Sequence, residues 1–167
     1  MTTLNSERGT TLLETMIALT LLMVVMGGLI TLSGLSAKTT ENNGHLAART
    51  TEDAQDKMEQ LQALTYNDQL TDTTLFPAAA VGGTGLAIGG SSSPAAPVAG
   101  YVDWLAGDGT LLGGGVAPPA GWFYERVWQV SNFSAGVKQI TVTVTTKWAF
   151  NQANPPSSTV VSLKSDF

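Results

Sequence analysis

The sequence predicts an α+β fold in which one long N-terminal helix packs on a small antiparallel sheet. Three features carry that prediction. Residues 15–37 contain no charged side chain, the apolar spacing beyond them stays helical until about Leu64, and past residue 100 the apolar period changes to two. At 167 residues the chain has enough surface to bury for one modest core, and two independent cores would each be short of it. The order read from the N-terminus is a polar segment at 1–9, an all-apolar helix half at 10–37 and an amphipathic half at 38–66. A loop at 67–100 and a sheet-bearing head at 101–167 follow.

The polar segment, MTTLNSERG, lacks the apolar region and small-residue cleavage site of a conventional secretory signal. The stretch Thr15 to Ala37, TMIALTLLMVVMGGLITLSGLSA, follows it and is the predicted transmembrane span. At about 1.5 Å rise per residue it is long enough to cross a hydrocarbon core of roughly 30 Å. Arg8 and the chain's amine precede the span and the large polar remainder follows it, so the charge bias points the N-terminus inward. Glu14 stands at the edge of the apolar run, where a carboxylate needs compensation; placed centrally it costs on the order of 2.5–3.5 kcal/mol. A snorkelling Glu on an ordinary anchor helix is the plainer alternative.

The helical pattern continues through Leu46, Ala54, Met58, Leu61 and Leu64, which share a face. Charged residues lie between them, with Asp53 and Lys57 at the spacing of an exposed i, i+4 pair. One helix from about Thr10 to about Leu64 is expected, ending before Asn67-Asp68. Gly27, Gly28, Gly34 and Gly44 each weaken it by roughly 1 kcal/mol relative to Ala, which close helix packing in a membrane explains.

Pro77 to Gly100 is rich in Gly, Ala, Ser and Pro and reads as a flexible surface loop. Its GGTGLAIGG misses the G-x-G-x-x-G spacing, and no strand-helix frame surrounds it. GWFYERVWQV, VKQITVTVTTKWAF and STVVSLKSD then read as the strands of an antiparallel meander. In the central one Ile140, Val142, Val144 and Trp148 alternate with Thr141, Thr143, Thr145 and Lys147, giving one face to bury. Asn132 to Gly136 supplies a hairpin turn, and Asn154-Pro155-Pro156 interrupts the next connection. YVDWL and TLL, on either side of Ala106-Gly107-Asp108-Gly109, form a smaller hairpin.

A formal charge of -5 with scattered Lys and Arg argues against nucleic acid as a partner. The absence of Cys removes disulfides, thiolate catalysis and Cys-based zinc sites. His45, the only His, has no nucleophile arrangement beside it, so no enzymatic activity and no cofactor are expected. Asp103 and Asp108, with Gly109, are the sole calcium candidates; without EF-hand spacing they read as ordinary turn aspartates. Trp104, Trp122, Trp128 and Trp148 read as core or sheet-packing residues because no basic groove accompanies them.

A polar leader ending in Gly9, the four residues Thr10 to Leu13, then Glu14 and the apolar run resemble the signal of type IV prepilins and type II secretion pseudopilins. The resemblance implies cleavage between Gly9 and Thr10 by a dedicated prepilin peptidase and N-methyltransferase, with Thr10 becoming the methylated N-terminus. Thr10 departs from the aromatic residue or Met usual there. It also implies that Glu14 pairs with the N-terminal amine of a neighbouring subunit, making Thr10 and Glu14 the assembly charge pair. The i, i+4 spacing allows the same pairing within one subunit before assembly. Local melting at Gly27-Gly28 in a filament is a further implication, beside the packing reading.

The order Tyr101-x-Asp103, Tyr124-x-Arg126-x-Trp128 and Lys138-x-Ile140-Thr141-Val142-Thr143-Val144 resembles minor pilins of the PilV kind and the related pseudopilin I. That likeness implies a low-abundance subunit that primes a type IV pilus or sits near its tip. Its implied partners are other pilin or pseudopilin subunits, the peptidase, the inner membrane and the pilus assembly platform. The implied location is the inner membrane, with the N-terminus cytoplasmic and the head periplasmic, followed by the filament. Since an apical subunit of the family can lack the Glu, Glu14 implies a place beneath another subunit. A type II secretion minor pseudopilin, a membrane-anchored periplasmic binding module and a DNA-uptake or adhesion tip subunit are the competing readings.

Overall fold

The computed structural model describes residues 11–75, 77–79, 81–147 and 155–166. Helix α1 spans Leu12–Ala63, and the strands are β1 Gly89–Gly90, β2 Val102–Leu105, β3 Leu111–Gly114, β4 Tyr124–Ser134, β5 Val137–Thr146 and β6 Ser157–Ser165. All pairings are antiparallel, in the order β3-β2-β4-β5-β6, with β1 on β4. The predicted long helix, small hairpin and three-strand meander are therefore present. Two compact units divide the chain, Met1–Glu41 and Asn42–Phe167.

Within the second unit, Ala54, Met58 and Leu61 of α1 are buried with Leu105, Tyr124, Trp128, Val130, Ile140, Val142 and Val144 of the sheet. Spacings of four and three put the helical residues on one stripe, and the period of two puts the strand residues on one sheet face. The opposite face carries a smaller cluster of Val102, Trp104 and Val127, with Trp122 against it. β4 is consequently buried on both sides through most of its length. β4 passes to β5 through Ala135 and Gly136, the latter at φ 71°, and the register slips at Phe133 between the Asn132 and Ser134 pairs. Trp148 and Asn154 lie outside the described residues.

Three expectations need correction. The 77–100 stretch is not wholly a surface loop: Leu86 is fully buried in the main core, and Gly89-Gly90 pairs with Gln129 and Val130. Gly90 sits at φ 80°, and a Cβ there would collide with the Trp128 carbonyl oxygen and the Tyr101 ring. The second correction concerns Asp53 and Lys57, which are both buried and do not form an exposed pair. Lys57 instead donates to Asp103 Oδ2 at 2.7 Å and to the Thr73 carbonyl, and it stands 4.1 Å from the centroid of a Trp128 ring.

Asp103 is a strand residue, not a turn aspartate, and it faces Arg126 in the β2–β4 register. Arg126 Nε donates to its Oδ1 at 2.7 Å and Nη2 to its Oδ2 at 2.9 Å. Burial pushes the Asp103 carboxyl up, but the Lys57 ammonium and Arg126 guanidinium outweigh it and hold the group below its ordinary value. Burial likewise lowers Lys57, with Asp103 opposing.

The end of α1 lacks a glycine cap. Lysines from the sheet meet carbonyls there: Lys164 donates to Gln62 O in the last turn and Lys138 to Tyr66 O in the turn beyond it, each at 2.7 Å. Asp68 then closes the following turn by accepting from the Leu70 and Thr71 amides.

Replacing Asp103 by Asn leaves two buried cations short of their counter-charge. We expect Asp103→Asn to lower head stability by about 3–5 kcal/mol, read from Trp fluorescence during urea unfolding in uncharged detergent. Glu59→Gln, at an exposed position of the same helix, should change it by less than about 0.5 kcal/mol.

Candidate functional site

The site begins where α1 begins. Thr11 precedes the first helical residue, and its carbonyl accepts from the Glu14 amide at 2.9 Å and the Thr15 amide at 3.2 Å. Its hydroxyl oxygen also accepts from the Glu14 amide, at 3.3 Å. Thr11-x-x-Glu14 is the sequence pattern of a capping box, a signal that the apolar spacing alone does not reveal. The cap starts the helix beside Glu14 and places the carboxylate in the first turn, where the helix dipole favours negative charge. Gly9 and Thr10, the predicted cleavage and methylation positions, lie outside the described residues.

From Leu12 onward every residue through residue 37 is exposed. An 18-residue window of α1 has mean hydropathy 2.3 and none of it is buried. Leu12, Met23, Val24 and Ile30 are exposed by 79%, 69%, 70% and 72%, so no face of this half is reserved for the chain's own core. Such a helix needs an apolar surround, either lipid or other apolar helices.

The threonine hydroxyls in the apolar run are already satisfied. Thr15 donates to Leu12 O, Thr20 to Met16 O, and Thr31 to Gly28 O, at 2.9, 2.8 and 2.9 Å. A hydroxyl that bonds back to its own helix enters hydrocarbon with little polar cost, which reconciles the threonines with a spanning segment. α1 passes unbroken through Gly27 and Gly28, and a Cβ at either glycine would meet nothing within 4 Å. Nothing in the chain itself therefore requires glycine there.

Residues 4–30 match the family model for the prokaryotic N-terminal methylation motif. The chain carries the type IV prepilin and pseudopilin signature. No curated protein and no solved structure matches the chain. The signature ends at residue 30 and thus covers the capped start, Glu14 and most of the apolar run, but none of the head. With the exposed apolar helix it makes this end a membrane anchor, and it implies pilin-type subunits and the prepilin peptidase as partners.

The head brings the other sequence candidates to separate places. Asp103 Oδ1 accepts from Arg126 and Oδ2 from Arg126 and Lys57, whereas Asp108 accepts from the Thr110 amide at 2.9 Å in the β2–β3 turn. Among the described residues no three His, Cys, Asp or Glu side chains cluster as metal ligands. His45 is exposed on α1. Trp128 is fully buried in the main core, and Trp104 packs edge-on against Trp122 at 4.8 Å on the other sheet face. Lys147 Nζ lies 4.9 Å from the Trp122 ring centroid.

Glu125 shares that second face, opposite Trp104 on one side and Thr145 on the other. It is buried, and desolvation pushes its carboxyl up to about 7. A folded-state pKa above the ordinary 4.5 means that folding favours the protonated acid. The associated stability is fully present below about pH 4.5 and is lost as pH rises toward about 7. Urea midpoints should fall across that window, and Glu125→Gln should flatten the fall; an unchanged profile would refute this assignment.

Proposed function

We propose that the protein is a minor pilin, made as a prepilin and built into a type IV pilus, where it primes assembly or sits near the tip beneath another subunit. The observation that carries this reading is Glu14, held in the capped first turn of a helix whose following residues are all exposed and apolar. A carboxylate at the edge of such a helix needs a cationic partner, and residues 11–37 contain no basic side chain to supply one. The methylation motif over residues 4–30 supports a subunit processed by prepilin peptidase.

In this reading residues 1–9 are the leader, 10–37 the membrane half of the helix, 38–66 its amphipathic half and 101–167 the head. Cleavage between Gly9 and Thr10 creates an amine at Thr10, which is then methylated. The Thr10 amine of one subunit and Glu14 of its neighbour neutralise each other within the apolar surround of the filament. Before assembly, the inner membrane stores the subunit with its N-terminus in the cytoplasm and its head in the periplasm. The same chemistry serves a type II secretion pseudopilus.

Mass spectrometry of the mature protein should find residues 1–9 absent and one methyl group on the new N-terminus at Thr10. Gly9→Leu should leave the leader attached. Glu14→Leu should allow cleavage but reduce recovery in sheared filaments by at least about tenfold, the equivalent of roughly 1.4 kcal/mol of lost pairing. Incorporation of Glu14→Leu at the parental level would overturn the charge-pair role.

A further inference from the structure

A cleft of about 320 Å³ opens in the head between α1 and the β2–β3 hairpin. Asp53, Asp56 and Gln60 line it from the helix, Leu105 and Leu111 from the hairpin, and Arg126 from β4. The three helical residues stand at i, i+3 and i+7, on one stripe of α1. Two are carboxylates and the third carries an amide oxygen, so this wall is rich in acceptors.

Asp53 distinguishes the cleft from an ordinary acidic surface. It is only 5% exposed, and its Oδ2 has no hydrogen-bond partner among the described residues. Arg126 stands close enough to serve it but is committed elsewhere. Its Nε and Nη2 donate to Asp103, and Nη1 reaches the backbone carbonyl of Asp53 at 3.4 Å. Arg49, one turn earlier, is likewise engaged by Glu52 at 2.9 Å and by the Asp108 carbonyl at 3.4 Å. Burial raises the Asp53 carboxyl, with Arg126 and Arg49 opposing. A buried carboxylate oxygen without a donor is costly, and a ligand that supplies the donor recovers that cost.

The walls restrict the ligand's chemistry. A compact cation with several N–H donors suits Asp53, Asp56 and Gln60 together, and a short hydrocarbon stem suits Leu105 and Leu111. A divalent metal ion suits the site less well, since one wall is leucine and another is a guanidinium that repels a doubly charged ion more strongly. We propose that the cleft binds a primary alkylammonium group, as presented by a lysine side chain of a partner protein, with the ammonium at Asp53 and Asp56 and the stem on Leu105 and Leu111. This site is independent of the N-terminal signature and holds whether or not the chain enters a filament.

The test uses the full chain in uncharged detergent, observed by amide NMR while n-butylammonium chloride is added to the order of tens of millimolar. Saturable shifts are expected at Gln60 and at Gly109 to Leu111, with sodium chloride and 1-butanol at matched concentration leaving those amides in place. Glycinamide, an amine without the stem, should bind more weakly than n-butylammonium. Asp53→Asn and Asp56→Asn should each raise the half-saturation concentration about tenfold or more. If Asp53→Asn loses the dispersed spectrum of a folded head, Asp56→Asn alone carries the comparison. The proposal is overturned by the absence of saturable shifts, by equal shifts with 1-butanol, by calcium chloride acting at lower concentration than the amine, or by unchanged binding in the folded variants.

Discussion

The head depends on a carboxylate placed between two cations where water does not reach. Asp103 accepts from Arg126 across the β2–β4 register and from Lys57 on the helix, and all three are buried. Such a cluster adds little net stability compared with a well-packed apolar core, because removing three charges from water costs nearly what their attraction returns. Its value lies in what it forbids. Lys57 sits between Ala54, Met58 and Leu61 on the buried stripe, so turning or sliding α1 would keep apolar contact but strand an ammonium without its counter-charge. The apolar residues favour contact between helix and sheet, and the ions select one docking among many.

The two halves of α1 obey different rules. Through residue 37 the side chains are mostly apolar and exposed on every face, and the threonine hydroxyls among them bond back to the helix. From Thr50 onward burial follows a stripe of Thr50, Asp53, Ala54, Lys57, Met58 and Leu61. The first half is made for surroundings that the chain itself does not provide, while the second is made for its own sheet. A signature that ends at residue 30 speaks only to the first.

Local patterns made much of this legible. The uncharged run, the position of Glu14, the period-two strands and the Gly-Asp-Gly turn each follow from neighbours in sequence, and each has its counterpart in the structure. Lys57 was not legible because a lysine flanked by acids at helical spacing has the pattern of a solvated pair, and its true partner is 46 positions away. The one available hint was its place within the Ala54, Met58, Leu61 stripe. Leu86 was hidden for a related reason: a lone leucine in a Gly, Ala and Ser-rich stretch has no periodicity to report it. The capping of Gln62 by Lys164 likewise joins distant residues, and no helix-ending glycine advertised the stop.

That capping ties the order of synthesis to the order of folding. The carbonyl of Gln62 waits for Lys164, 102 residues later, and Thr50 and Thr51, whose hydroxyls already donate to the Ala47 carbonyl, gain a second partner in Ser158. Contacts so distant in sequence carry a loop-closure cost before any gain is realised, which makes folding slow. The helix therefore leaves the ribosome with one half suited to lipid, while the stripe of the other half waits for β2, β4 and β5, whose core residues extend to Val144. Until then the striped half exposes its apolar face, an aggregation-prone state. β6 then closes over a stripe already covered, and its Lys164 and Ser158 tie the sheet edge back to the helix.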